Sequence, residues 1–183
     1  MGDGDDLTRL VGDVRAADAA RARSRERALR QQATEDATLE GLLADLADEG
    51  ADVTVRLRSG TTASGRIVGL GADFFVLKSD AAQAVLVART AVGSVRRRPG
   101  DRGPDTTGDR ARTQAASLSA YLAGLAPEHP RVTAAVTGEG SLLVGELRSA
   151  GRDVLTIVLD GDPPVTVYLA LVSLESLSVS PPG

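Results

Sequence analysis

The sequence predicts a mainly β protein with helices (α+β): two tandem five-stranded bent-sheet barrels, each preceded by a short helix, behind an N-terminal helical arm. Three observations predict it. The pattern G-x-h-x-x-x-G-x-D, with h an aliphatic residue, runs from Gly65 to Asp73 as G-R-I-V-G-L-G-A-D and recurs whole 80 positions later, from Gly145 to Asp153, as G-E-L-R-S-A-G-R-D. Short alternating apolar stretches punctuated by Gly, Asp and Pro surround both copies. A leucine-rich segment with helical spacing precedes each of them.

The repeat extends beyond the pattern. At the same offset of 80, Gly60 pairs with Gly140, Val85 with Val165, Val87 with Val167, Val92 with Val172 and Leu42 with Leu122. Only the first strand departs: Val53, Val55 and Leu57 match Val132, Ala134 and Val136 at an offset of 79. The second copy thus has one extra residue in its first hairpin, a length change that loop closure tolerates cheaply.

Taken in order, residues 1–37 form the arm. Leu7, Leu10, Val11 and Val14 have helical spacing, and the Ala- and Arg-rich stretch behind them favours helix. The first barrel with its leading helix spans 38–98. Leu39, Leu42, Leu43 and Leu46 share a helix face, and strands are expected near 52–58, 63–70, 72–79, 84–88 and 92–96. Residues 99–112, rich in Gly, Pro and charge, read as a flexible linker. The second barrel spans 113–180, with Leu118, Tyr121, Leu122 and Leu125 on its helix and strands near 131–137, 143–149, 153–159, 165–169 and 172–178. D-G-D-P-P, from Asp160 to Pro164, is a turn.

Composition narrows the function. The 183 residues are 42% hydrophobic and 25% charged, a globular balance. No cysteine is present, which removes disulfides and thiolate chemistry and fits a reducing compartment. No apolar run reaches the roughly 18 residues that span a bilayer, and the start M-G-D-G-D-D is acidic where a secretion signal is basic, so a cytoplasmic protein with no membrane partner is expected. The net charge of −4 hides an asymmetry: residues 51–112 carry 11 basic against 6 acidic side chains, while the flanking segments are acidic. That basic middle is the candidate footprint for a polyanion.

Several chemistries are disfavoured. The stretch S-G-T-T-A-S-G-R, from Ser59 to Arg66, follows a strand as a phosphate loop does, but a strand rather than a helix follows it, and its copy carries Glu146 at the cation position. Asp160 and Asp162 fall short of a calcium ligand set. The lone histidine, His129, has no acid–base partner nearby in sequence. The residues therefore point to a non-enzymatic protein with no cofactor and no metal.

The helix and five strands, with the glycine pattern at the second and third, resemble the Sm/LSm family of small barrels. Val53, Val55, Leu57, Gly60, Gly65 and Ile67 match its first motif, and Asp73 comes late, after the extra Gly71. The second motif is nearer to the bacterial Sm-like RNA chaperones: R-T-A-V-G-S-V, from Arg89 to Val95, keeps their basic residue and replaces their histidine with Thr90. The chain also resembles two-barrel proteins of this family in high-GC bacteria. The resemblance implies RNA contact at Asp73, Phe74, Phe75 and Arg89, with Asp153 and Val154 as degraded counterparts, and homo-oligomers through the fourth and fifth edge strands. From charge, Arg56, Arg58, Arg66 and Lys78 are candidate phosphate contacts, and Arg96, Arg97 and Arg98 add to them. RNA binding by the first barrel is one expectation. The other is a scaffold that binds a protein partner through barrel edges and the N-terminal arm.

Overall fold

The computed structural model describes residues 18, 21–29, 31–33, 35–79, 83–101, 108, 115–138 and 140–180. The helical spacing read at residues 7–14 and most of the linker lie outside them. In the arm, residues 21–29 are helical and exposed. Helix α1 (Leu39–Asp48) starts where extended Thr38 accepts a hydrogen bond from the Gly41 N–H at 3.0 Å. Ser117 starts α2 (Leu118–Leu125) in the same way, accepting from the Ala120 N–H at 3.2 Å. The first helix buries Leu43 and Leu46, the second Leu122. Within the segment read as a linker, Gly108 is buried against α1: its N–H donates to Asp45 Oδ2 at 2.9 Å and its carbonyl accepts from the Thr38 N–H.

Ten strands follow the alternation of the sequence. The first unit holds β1 (Asp52–Leu57), β2 (Thr62–Leu70), β3 (Phe74–Lys78), β4 (Ala84–Ala88) and β5 (Val92–Arg97). The second holds β6 (Arg131–Val136), β7 (Leu143–Ala150), β8 (Val154–Leu159), β9 (Val165–Ala170) and β10 (Leu174–Val179). All ten form one antiparallel sheet in the order β5-β1-β2-β3-β4-β10-β6-β7-β8-β9, continuous across the two units that the sequence predicts as tandem barrels. Both halves run fifth, first, second, third, fourth, and a 3-10 turn joins the fourth strand to the fifth in each. The halves meet where β4 pairs with β10, with Val85, Leu86 and Val87 opposite Ser178, Leu177 and Ser176. Buried residues of both units belong to one apolar cluster, so the joint continues the core rather than abutting two cores.

The backbone pairing corrects the repeat register. From helix to first strand the offset is 79: Thr38 and Ser117 are equivalent caps, so Leu43, not Leu42, corresponds to Leu122. The second and third strands keep the offset of 80, with Gly65 opposite Val53 as Gly145 is opposite Val132. Beyond the third strand the offset becomes 82, because Phe74 faces Ala88 where Val154 faces Ala170. The turn around Asp160 absorbs the two extra residues. Val85, Val87 and Thr90 therefore correspond to Val167, Leu169 and Val172, and residues 171–173 form the turn before β10 rather than its start.

The glycines at 65 and 145 serve the bend of the sheet. A Cβ at Gly65, where φ is +156°, would lie 2.4 Å from the Lys78 carbonyl oxygen, and one at Gly145 would lie 2.2 Å from that of Val158. The third strand crosses so close that no side chain fits, which is why both copies keep glycine while their neighbours diverge.

Matching bulges mark the pairing of the first strand with the fifth in each unit. The β1–β5 register skips Gly93 between Leu57 and Arg56, and the β6–β10 register skips Glu175 between Val136 and Ala135. Glu175 is fully buried at the joint, where its Oε1 accepts from the Ser59 N–H of the first unit at 3.0 Å and from Thr137 Oγ1 at 3.1 Å. Among the described residues its Oε2 has no partner. Glu175→Ala removes the acceptor of two part-buried hydrogen bonds and empties a fully buried site, and is expected to cost about 1–3 kcal/mol in denaturant unfolding. Glu175→Gln retains an acceptor oxygen and should stay closer to the parent; equal losses in both would show that the oxygen contacts contribute nothing.

Candidate nucleic-acid interface

Strand alternation buries Val53, Val55 and Leu57 and turns Asp52, Thr54 and Arg56 outward. The register then sets their neighbours. Ser94, Arg56 and Thr62 form one row across β5, β1 and β2, and Arg96, Thr54 and Ser64 form the next. Arg98 joins the third row through its N–H to the Asp52 carbonyl at 3.0 Å, followed by Asp52, Arg66 and Lys78. One outer face thus gathers Arg56, Arg66, Lys78, Arg96 and Arg98, with Arg58 exposed just beyond the end of β1.

Directly opposed side chains in such a sheet have Cβ atoms about 4.5–5.5 Å apart, and diagonal ones about 7–8 Å. The cations therefore form a connected patch. Asp52 is its one carboxylate among the described residues, bracketed by Arg66 at 3.7 Å and Arg98 at 3.9 Å. Arg56, Arg58, Lys78 and Arg96 have no ion pair among the described residues. Thr54 Oγ1 and Ser64 Oγ, 3.0 Å apart, place hydroxyls in the middle of the patch.

The same face of the second unit is neutral. Ala135 stands for Arg56, Glu146 for Arg66, Val158 for Lys78, and Ser178 and Ser180 for Arg96 and Arg98. Its charges pair among themselves: Arg131 with Asp160, and Glu146 with Arg148 at 3.2 Å and with His129 at 3.4 Å. His129, isolated in sequence, has these partners only through the fold.

The other sequence candidates have different surroundings. Arg97 pairs with Glu49 at 2.5 Å and with Asp101 at 3.6 Å. Arg89 pairs with Glu40 of α1 at 2.8 Å and donates to the Ala72 carbonyl. Asp73 Oδ1 accepts from the Leu118 N–H at 2.7 Å, holding the first turn of α2. Phe75 is core, and Phe74 is buried under Tyr121 with ring centroids 5.5 Å apart. Asp153 is exposed, and so is Val154.

Sequence reading had collected the cations by charge alone, and it missed Thr54, Ser64 and Asp52. The alternation of Asp52, Thr54 and Arg56 with that of Ser64 and Arg66 carried the signal, once β1 and β2 were paired. No described helix is long and apolar enough to cross a membrane. No family model matches the chain, and no curated protein matches it.

Proposed function

We propose that the chain is a non-enzymatic tandem Sm-like protein that binds RNA through the outer face of its first unit. The Sm-like part is supported by the strand order repeated in both halves, by the 3-10 turn between fourth and fifth strands, and by the paired glycines of the second strand. One observation carries the RNA part: five cations share one sheet face, and the duplicate unit holds the same backbone with that charge removed. Arg66 directly opposite Lys78 costs stability by like-charge repulsion, and the second unit shows that the scaffold does not require it. With no aromatic side chain on the face, phosphates rather than bases are the target, and sequence preference is weak.

The rim positions that the resemblance pointed to, Asp73, Phe74 and Arg89, hold intramolecular partners, which favours the face over the rim as the RNA contact. Fluorescence anisotropy with a single-stranded RNA tests the reading. Log affinity falls by about 0.7 per neutralised phosphate for each decade of salt, so five contacts predict a loss of roughly 100-fold between about 50 and 200 mM. Binding that ignores salt, or no binding at low salt, overturns it. The scaffold reading is favoured by a separate observation: β5 and β9, at the ends of the sheet, each pair with one strand only among the described residues.

A further inference from the structure

Phosphate contacts position a strand but do not tell RNA from DNA, since both backbones carry the same charge. The cationic face of the first unit holds something that a pure phosphate track does not need. A cavity of about 290 Å³ opens between its second and third rows, lined by Thr54 and Ser64 from one row, by Asp52 and Arg98 from the other, and by Pro99. Such a volume is at the small end for ligand pockets and suits a sugar rather than a whole ligand.

Asp52 is the odd group in that lining. Its Oδ1 lies 3.7 Å from Arg66 and its Oδ2 3.9 Å from Arg98, both longer than a hydrogen bond, so among the described residues each oxygen keeps lone pairs open. An ionised carboxylate only accepts hydrogen bonds, and it repels phosphate. On a face that binds a polyanion it therefore lowers affinity unless the strand brings a donor to it. The sugar of RNA carries such a donor in its 2′-hydroxyl, and the sugar of DNA lacks it. Thr54 and Ser64 serve the same cavity: their mutual hydrogen bond at 3.0 Å uses one hydroxyl hydrogen and leaves the other to donate.

The second unit lacks these groups as it lacks the cations. Arg131 stands where Asp52 does and pairs with Asp160, Val144 stands for Ser64, and Ser180 for Arg98. We propose that the cavity of the first unit seats one ribose of the bound strand, its 2′-hydroxyl donating to the Asp52 carboxylate, and that this contact makes the face prefer RNA to DNA. The phosphates on either side of that ribose then meet Arg66 and Arg98, which flank Asp52 and offset its charge. This contact presupposes that the face binds RNA, and it adds the residue that selects the sugar.

Fluorescence anisotropy at one low salt concentration tests it with a single mixed sequence made as RNA, as DNA carrying uracil for thymine, and as 2′-fluoro RNA. Fluorine keeps the ribose pucker and the size of the hydroxyl but donates no hydrogen bond. RNA should bind roughly tenfold more tightly than either of the others, the effect of one hydrogen bond to a charged group, with the same salt slope for all three. Asp52→Ala, at a surface position, should fold, as circular dichroism will check, and should bind all three strands alike, with DNA held at least as tightly as by the parent. Equal affinity of the parent for RNA and DNA, or 2′-fluoro RNA binding as tightly as RNA, overturns the sugar contact and leaves the phosphate reading in place. So does an Asp52→Ala variant that keeps the preference for RNA, which would make Asp52 only a brake on the repulsion between Arg66 and Arg98. Should none of the three strands bind, the phosphate reading falls and the sugar contact with it.

Discussion

Gly145→Ala should lower stability by about 3 kcal/mol or more, and Gly65→Ala by as much, although each adds a single methyl group to a strand. The added carbon would stand 2.2 Å from the Val158 carbonyl oxygen in one case and 2.4 Å from the Lys78 carbonyl oxygen in the other. These are backbone atoms in register-paired strands, so relief requires parting β7 from β8 or β2 from β3. At Gly65 the positive φ adds strain of its own. For a chain of this size the loss corresponds to a fall in Tm of roughly 6–12 °C, read by thermal unfolding. Gly124→Ala is the control, because its added carbon meets nothing within 4 Å and it lies in α2, where alanine is favoured. If the two strand variants lose no more than the control, the close crossing of the third strand is not what keeps these glycines.

The same two glycines show how far the sequence could be read. They stand in both copies because a backbone contact forbids any side chain there, so the repeat was visible without alignment and the phosphate-loop reading failed against the copy. The register of the fourth and fifth strands was legible only modulo two. Val85 aligns with Val165 or with Val167 with equal ease, since a slip of two residues leaves every side chain on its original face. The hairpin around Asp160 hid the difference. Adjacent leucines did the same at the helix, where Leu42 and Leu43 are both plausible partners for Leu122 until the caps Thr38 and Ser117 fix the frame.

What could not be read was everything that passes between the units. Ser59 and Glu175 lie 116 residues apart, and nothing local to either signals the bond. Glu175 reads as one more charge in a serine-rich strand, when it is the buried bulge residue that ties the first hairpin of one unit to the last strand of the other. Phe74 and Phe75 share a reading as neighbours on a strand. One enters the core of its own unit, and the other is covered by α2 of the next. For the candidate site the residue types were legible, and their grouping was not. Eleven basic residues in the middle segment became five on a face, and that selection needed the pairing of β1 with both β2 and β5.

The duplication supplies its own control for the functional proposal, because the second unit carries the same face without the charge. The combined variant Arg56→Ala, Arg66→Gln, Lys78→Val and Arg96→Ser gives the first unit, at 56, 78 and 96, the side chains found at the equivalent places of the second, with a neutral residue at 66 because Glu146 faces Arg131 where residue 66 faces Asp52. Removing four of five phosphate contacts should weaken affinity for single-stranded RNA at low salt by at least about 100-fold, at roughly one order of magnitude or less per contact, and should nearly flatten the salt slope. Thermal unfolding of the same sample should stay close to the parent, since the like-charge pair of Arg66 and Lys78 is lost together with the exposed Arg66–Asp52 ion pair. The account predicts a folded protein that no longer binds; a folded variant that binds RNA with the parent's affinity and the parent's salt dependence would contradict it.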